Sequence, residues 1–181
     1  ESKVEYIRLT NAYDGTKRLT GITRTSGNET NTSSSRTQTY TFGYDVFDQV
    51  TTIGVGNRTL TTNTYNSTGN LTRQAFGNGD YVDYEYDELG RVRKTTTEAN
   101  KTVEYGYNSD GQLASTTSGN LRYDYLYDSL GRLIRSSTHN GSTLKLETRQ
   151  QYDDSNRLSK QNINLVDSQY EVRYTYNNKG L

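Results

Sequence analysis

Three carboxylates of the chain are spaced as an acid–base site could require. Asp83, Glu85 and Asp87 lie two residues apart, which places them on one face of a strand. Carboxylates act as an acid–base pair when burial drives their pKa values apart. The residues between them are apolar or aromatic, so the carboxylates belong to the polar face. We predict that they are solvated or paired with arginine.

The single histidine offers little further chemistry. His139 stands in the turn-like sequence THNGST, and the chain has no cysteine. One histidine without cysteine cannot build a nucleophilic triad or a histidine-based metal site. We predict that His139 is an exposed loop residue and that the protein is not an enzyme.

Two short stretches look like fragments of calcium loops. Residues 108–111 (NSDG) match the start of such a loop, but Gly119 stands where a bidentate glutamate is required. Residues 77–81 (GNGDY) look like a β-roll calcium motif that occurs once. Both fit turns, and we expect neither a metal nor a cofactor.

The composition favours strands. Only 29% of the 181 residues are hydrophobic, yet tyrosine occurs 17 times against three phenylalanines. Tyrosine, threonine and valine suit a pleated, half-buried surface, whereas disordered chains are poor in these types. The length fits one domain. No apolar run is long enough to cross a membrane, and 21 basic against 21 acidic residues give no nucleic-acid signature.

A seven-residue motif recurs along nearly the whole chain. Its first position is tyrosine, its second aspartate or asparagine, its fifth commonly glycine, and its seventh leucine or valine. The motif tyrosines of copies 1 to 8 are Tyr13, Tyr44, Tyr65, Tyr86, Tyr107, Tyr127, Tyr152 and Tyr176. Five successive copies follow at steps of 20 or 21 residues. A repeat array is therefore the first prediction about the fold.

Each copy reads as one β-hairpin. Aromatic or β-branched residues alternate with polar ones before the tyrosine, and a turn signal follows it. In copy 4 we expect Glu88, Leu89 and Gly90 to form a three-residue loop closed by a G1 bulge. Asp87 then faces Arg91, and Tyr86 faces Val92.

Variation between copies supports this register. Four copies have aspartate at position 2 and arginine at position 6: Asp14/Arg18, Asp87/Arg91, Asp128/Arg132 and Asp153/Arg157. Two copies with asparagine have an uncharged residue there, Asn66/Asn70 and Asn108/Gln112, and Asp45/Gln49 is the exception. Opposite charges across a strand pair stabilise it by about 0.2–1 kcal/mol. We predict an all-β array of antiparallel hairpins in one curved or spiralling sheet, without helices longer than about a turn.

The spacing lengthens to 31 residues between copies 1 and 2. Residues 25–39, TSGNETNTSSSRTQT, are rich in serine, threonine, asparagine and glycine, so we predict a flexible loop. The chain starts without a signal peptide and stops after a turn signal, and we expect it to be cut from a longer array at both ends. Unpaired strand edges at such ends favour edge-to-edge self-association.

The motif Y-[DN]-x-x-G-x-[LV] resembles the YD repeats, also called rearrangement-hotspot (Rhs) repeats. The resemblance covers nearly the whole chain and is most regular from Tyr65 to Leu133. It implies a secreted or surface-displayed bacterial shell that encloses or scaffolds a C-terminal toxin or effector, with further repeats of the same polypeptide as partners. The chain departs from the family in having no proline and no self-cleavage signature. The expected structural positions are Tyr65, Gly69, Leu71, Tyr86, Asp87, Gly90, Arg91, Val92, Tyr107, Gly111, Leu113, Tyr127, Asp128, Gly131, Arg132 and Leu133.

Carbohydrate binding or cell-surface adhesion is the alternative function. Exposed tyrosines can stack on sugar rings, and sugar binding has been ascribed to proteins that carry this repeat. Tyr6 and Tyr81 fall outside the motif, so we predict that they are the exposed platforms if the chain binds carbohydrate.

Overall fold

The computed structural model describes residues 5–28 and 31–177. The prediction of an all-β fold is confirmed, since these ranges contain strands and turns and no helix. No described segment could therefore cross a membrane as a helix. The strands are β1 (Glu5–Tyr13), β2 (Leu19–Asn28), β3 (Asn31–Tyr44), β4 (Val50–Val55), β5 (Arg58–Tyr65), β6 (Leu71–Phe76), β7 (Tyr81–Tyr86), β8 (Val92–Thr97), β9 (Thr102–Tyr107), β10 (Leu113–Ser118), β11 (Leu121–Tyr127), β12 (Leu133–Asn140), β13 (Thr143–Tyr152), β14 (Leu158–Leu165) and β15 (Gln169–Arg173).

The chain divides into two compact units, Glu1–Tyr84 and Glu85–Leu181. In the first unit, successive strands from β1 to β7 pair antiparallel in chain order. In the second unit, β8 to β15 do the same. Each unit is therefore a run of hairpins laid side by side, as the motif spacing predicted.

The loop inside the motif has the predicted geometry. In copy 4 the Asp87 amide donates to the Arg91 carbonyl at 2.9 Å, and the Gly90 amide donates to the Asp87 carbonyl at 3.0 Å. Gly90 has a φ of +76°. These bonds close a three-residue loop with a bulge at its end, and the register confirms that tyrosine at position 1 faces leucine or valine at position 7. The pairs include Tyr13/Leu19, Tyr44/Val50, Tyr65/Leu71, Tyr107/Leu113, Tyr127/Leu133 and Tyr152/Leu158.

Position 5 adopts a left-handed backbone even where it is not glycine. Lys17, Asp48 and Asn156 occupy this position in copies 1, 2 and 7, with φ values of +68°, +64° and +62°. A left-handed φ strains any residue with a Cβ atom. The loop conformation is thus imposed by the hairpin as a whole, and glycine is its least strained occupant.

Both calcium-like stretches are turns, as predicted. Residues 108–111 form the loop of copy 5, closed by a bond of 2.9 Å from the Asn108 amide to the Gln112 carbonyl. Residues 77–80 connect β6 to β7, and the Phe76 amide donates to the Asp80 carbonyl at 2.8 Å.

The prediction of a loop position for His139 is wrong. His139 lies in β12 and pairs with Arg122 of β11, and only 28% of its side chain is exposed. Asn140 pairs with Thr143, so the turn is confined to Gly141 and the residue after it. Because Gly141 takes a φ of +58°, a two-residue turn suffices and the strand extends past the histidine.

The predicted loop at residues 25–39 is also corrected. Residues 25–28 belong to β2 and residues 31–39 to β3, while 29 and 30 lie outside the described residues. Threonines face each other across this hairpin, and the hydroxyls of Thr23 and Thr39 are 3.1 Å apart. Their β-branched side chains favour strands and override the polar composition. The mobility of this segment stays a prediction.

Tertiary packing is thin throughout. Among the residues whose burial is described, no hydrophobic side chain is buried, and Ser137 is the one buried polar residue, at 8% exposure. The motif tyrosines are half-buried, except Tyr13, which is exposed. With so little core, side-chain hydrogen bonds and stacking between neighbouring hairpins carry more of the stability.

Candidate functional site

The most regular chemistry of the chain lies at the edge that carries the motif loops. At position 2, one side-chain oxygen accepts two backbone amides of its own loop. In copy 4, Asp87 Oδ1 accepts the amides of Leu89 at 3.0 Å and Arg91 at 2.9 Å. In copy 5, Asn108 Oδ1 accepts the amides of Asp110 and Gln112 in the same way. The shared requirement is one oxygen, which explains why both residue types occur.

The second oxygen of aspartate binds the arginine at position 6. The Nε atom of Arg91 donates to Asp87 Oδ2 at 2.7 Å, and the same bond joins Arg132 to Asp128 at 2.7 Å. The Arg91 side chain and backbone amide hold the pKa of Asp87 below its usual value. The Arg132 backbone amide and guanidinium likewise lower the pKa of Asp128. These carboxylates are charged at neutral pH and are occupied within the loop.

The tyrosine at position 1 bonds backward to the preceding copy. The phenol of Tyr127 donates to the carbonyl oxygen of Leu113, position 7 of copy 5, at 2.9 Å. The same bond, which we call the inter-repeat bond, recurs at 2.7 to 2.8 Å in five further copies. Its pairs are Tyr44/Leu19, Tyr65/Val50, Tyr107/Val92, Tyr152/Leu133 and Tyr176/Leu158.

The arginine at position 6 bonds forward to the following copy. The guanidinium carbon of Arg91 lies 4.3 Å from the ring centre of Tyr107, and that of Arg132 lies 4.5 Å from the ring centre of Tyr152. Arg18 and Arg157 cover Tyr44 and Tyr176 at 5.0 and 4.4 Å. A guanidinium over an aromatic face contributes about 0.5–1 kcal/mol at exposed sites. Aspartate, arginine and the next tyrosine therefore form a chain of contacts along the loop edge.

Tyr13, in the first copy of this sequence, makes no inter-repeat bond within the described residues. Tyr13 is 59% exposed, the most of any motif tyrosine whose burial is described, and its phenol oxygen accepts a bond from Asn11 instead. The contact with the preceding repeat is thus what covers a motif tyrosine.

The sequence predicted the loop residues and missed the inter-repeat bond. Gly69, Gly111 and Gly131 take φ values of +85°, +82° and +79° and lie in loops of the predicted kind. Tyr86 ends β7 and Val92 begins β8, as expected. Position 1 is tyrosine in all eight copies and never phenylalanine. This pattern was the one indication in the sequence that the phenol oxygen makes a hydrogen bond.

The three carboxylates that could resemble an acid–base site are each paired with arginine, which confirms that prediction. Asp83 accepts two bonds from Arg73 at 2.5 and 2.7 Å, and Glu85 accepts one from Arg93 at 2.6 Å. The Arg73 side chain lowers the pKa of Asp83.

His139 has one acidic neighbour and no group of possible metal ligands around it in the described part of the chain. The Nδ1 atom of His139 lies 3.5 Å from Asp124 Oδ2 and makes no hydrogen bond within the described part of the chain. Across residues 5–28 and 31–177, no three histidine, cysteine or acidic side chains are grouped closely enough to hold a metal ion.

The two tyrosines proposed as sugar platforms are half-buried. The guanidinium of Arg73 lies 4.2 Å from the ring centre of Tyr81 and covers one face of it. Arg8 lies 5.8 Å from the ring centre of Tyr6. The expectation of open aromatic faces is therefore corrected at Tyr81, because a neighbouring strand supplies a cation to the ring.

Comparisons with known proteins agree with this geometry. The RHS Repeat family model matches residues 65–102 and 127–162. No curated protein matches the chain significantly.

Solved structures of toxin complexes share the fold. The Photorhabdus luminescens Tc holotoxin pore matches with a TM-score of 0.74 at 17% identity, over 94% of this chain and 10% of that chain. Crystal structures of TcdB2–TccC3 with Cdc42 and of TcdB2–TccC3 without its hypervariable C-terminal region both give a TM-score of 0.76 at 17% identity. These two matches cover 95% and 96% of this chain and 10% of each of those chains. The chain thus spans about a tenth of the length of the structures it matches. The motif, its loops and its inter-repeat bonds agree with this similarity, and residues 65–102 and 127–162 of the chain are RHS repeats, also called YD repeats.

Proposed function

We propose that this chain is a wall segment of a secreted or surface-displayed bacterial YD-repeat shell. The shell encloses or scaffolds a C-terminal toxin or effector, and the segment has no catalysis of its own. The inter-repeat bond is the observation that carries this proposal, because six motif tyrosines use it to join their copy to the preceding one.

The distribution of polar chemistry supports a wall. The position-2 side chains cap their own loops, the arginines bind aspartate and the next tyrosine, and the tyrosines bind the preceding carbonyl. The side chains with the most regular spacing are therefore engaged in construction. Equal numbers of basic and acidic residues also make the segment neutral overall, so a wall built from it exerts little net charge on an enclosed protein.

Protease protection in the full-length protein that carries this chain tests the enclosing role. We expect the domain after the repeats to resist protease while the repeats are folded and to become sensitive once mild urea opens them. Gly131→Val strains a left-handed loop residue and should speed cleavage, whereas Gly15→Val, at an ordinary φ with open space around it, should not. Equal cleavage of the domain with and without folded repeats would refute enclosure and leave the fold untouched.

A glycan array tests the alternative. A wall segment should give no saturable binding. Saturable binding to a defined sugar that is lost in Tyr81→Ala or Tyr6→Ala would instead favour an adhesion module.

A further inference from the structure

Position 6 of the motif also contacts position 5 of the next loop. Where position 6 is glutamine, its Nε2 donates to a backbone carbonyl. Gln49 donates to the Gly69 carbonyl at 2.8 Å, and Gln112 donates to the Gly131 carbonyl at 3.1 Å. Both acceptors are glycines with a left-handed φ.

Where position 6 is arginine, the acceptor can be a side chain. Arg18 Nη1 donates to Asp48 Oδ1 at 2.8 Å, and Arg132 Nη1 donates to Asn156 Oδ1 at 2.5 Å. Aspartate and asparagine are, after glycine, the residue types that best tolerate a left-handed φ. The observed pairings are glutamine with glycine, and arginine with aspartate, asparagine or, for Arg91 and Gly111, glycine.

Steric contact limits which residue fits at position 5 when glutamine precedes it at position 6. A Cβ atom added at Gly69 would lie 3.3 Å from Gln49 Nε2, and one added at Gly131 would lie 3.2 Å from Gln112 Nε2. Both distances are tighter than ordinary van der Waals contact. A Cβ atom at Gly111 would lie 3.7 Å from Arg91 Nη1, which is an ordinary contact. Glutamine thus favours glycine in the next loop, because its side-chain amide would have to shift by a few tenths of an ångström to admit a Cβ atom. Arginine accepts glycine or a residue with a side-chain oxygen.

We propose that position 6 of each loop selects the residue at position 5 of the following loop, so that the loops form a neighbour-specific latch. The latch restricts which residue types are compatible in neighbouring loops, whereas the inter-repeat bond is the same at every junction where it is seen.

Two glycines with nearly identical backbones provide the test. Gly131 and Gly111 have φ values of +79° and +82°, so asparagine is equally strained at both. Gly131 follows a glutamine and Gly111 follows an arginine. We expect Gly131→Asn to lower the hydrogen-exchange protection of the amides in its own loop at least about threefold more than Gly111→Asn does, given typical couplings between contacting residues.

The rescue variant is Gly131→Asn combined with Gln112→Arg, which recreates the arrangement of Arg132 and Asn156. We expect it to recover most of the lost protection. Equal losses at the two glycines, or no recovery in the double variant, would overturn the latch. If Gly131→Asn alone fails to fold, folding of the double variant supports the latch. Failure of both while Gly111→Asn folds overturns it.

Discussion

Removing one phenol hydroxyl tests the inter-repeat bond directly. Tyr127→Phe deletes the 2.9 Å bond to the Leu113 carbonyl and keeps the ring. Tyr125 lies two residues away in the same strand, is likewise half-buried, and has no hydrogen bond on its phenol within the described residues. Tyr125→Phe is therefore a matched control.

The magnitude follows from what each variant loses. A hydrogen bond of this kind contributes about 0.5–1.5 kcal/mol, and a buried acceptor left unpaired adds a further cost. Leu113 is half-buried, so water can partly replace the phenol. We expect Tyr127→Phe to lower the free energy of local opening by about 1 kcal/mol, or roughly fivefold in protection. Tyr125→Phe should change it by less than about 0.5 kcal/mol.

Hydrogen exchange is the suitable assay because repeat proteins can open locally. The reporters are the Asp128 amide, bonded to the Arg132 carbonyl at 3.0 Å, and the Gly131 amide, bonded to the Asp128 carbonyl at 2.9 Å. Equal effects of the two phenylalanine variants, or no effect of Tyr127→Phe, would refute the role of the phenol.

Other predictions concern the loops and the chain ends. Gly111→Val should cost on the order of 1–3 kcal/mol in urea unfolding because its φ is positive, and Gly15→Val should cost clearly less; equal costs would argue against the bulged loop. Lys17→Gly should stabilise the protein by about 0.5–1 kcal/mol, since relief of left-handed strain exceeds the added entropy of the unfolded chain. Asp128 has a lowered pKa, so its stabilisation is complete above the unfolded value near ~3.9 and is lost as the pH falls through the lower folded value. The urea midpoint of the wild type should therefore drop below about pH 4, and that of Asp128→Asn should drop less. An equal loss of urea midpoint at low pH in the two proteins would contradict this. Light scattering should show some edge-to-edge association, and a strict monomer at high concentration would count against it.

The sequence predicted the hairpin, its register and its loop because these depend on residues close together in the chain. The Asp87/Arg91 pair and the left-handed Gly90 follow from the spacing within seven residues. Strand register is fixed by such local patterns and turn types. Interactions between residues close in sequence were enough to predict the hairpin, its register and its loop.

Contacts between copies were harder to predict because they join residues in different hairpins. The bond from Tyr152 to Leu133 spans 19 residues, and the contact of Arg132 with Asn156 spans 24. The composition of residues 25–39 led to a wrong prediction of a loop. Pairs of threonines across the hairpin stabilise strands there, although the segment is rich in small polar residues. His139 was misplaced because a two-residue turn needs less chain than the sequence THNGST indicated.

The direction of the contacts explains how a chain with so little buried apolar surface can form an ordered array. Tyrosine at position 1 bonds to the preceding copy, and the side chain at position 6 bonds to the following one. Tyr107, for example, donates to the Val92 carbonyl at 2.8 Å while Arg91 of the same preceding copy covers its ring at 4.3 Å. The junction between copies 4 and 5 is thus closed from both sides by residues of the two neighbouring motifs. An array held in this way can be extended by adding further copies without enlarging a hydrophobic core, and a wall has this same requirement, since it must be long and thin at once.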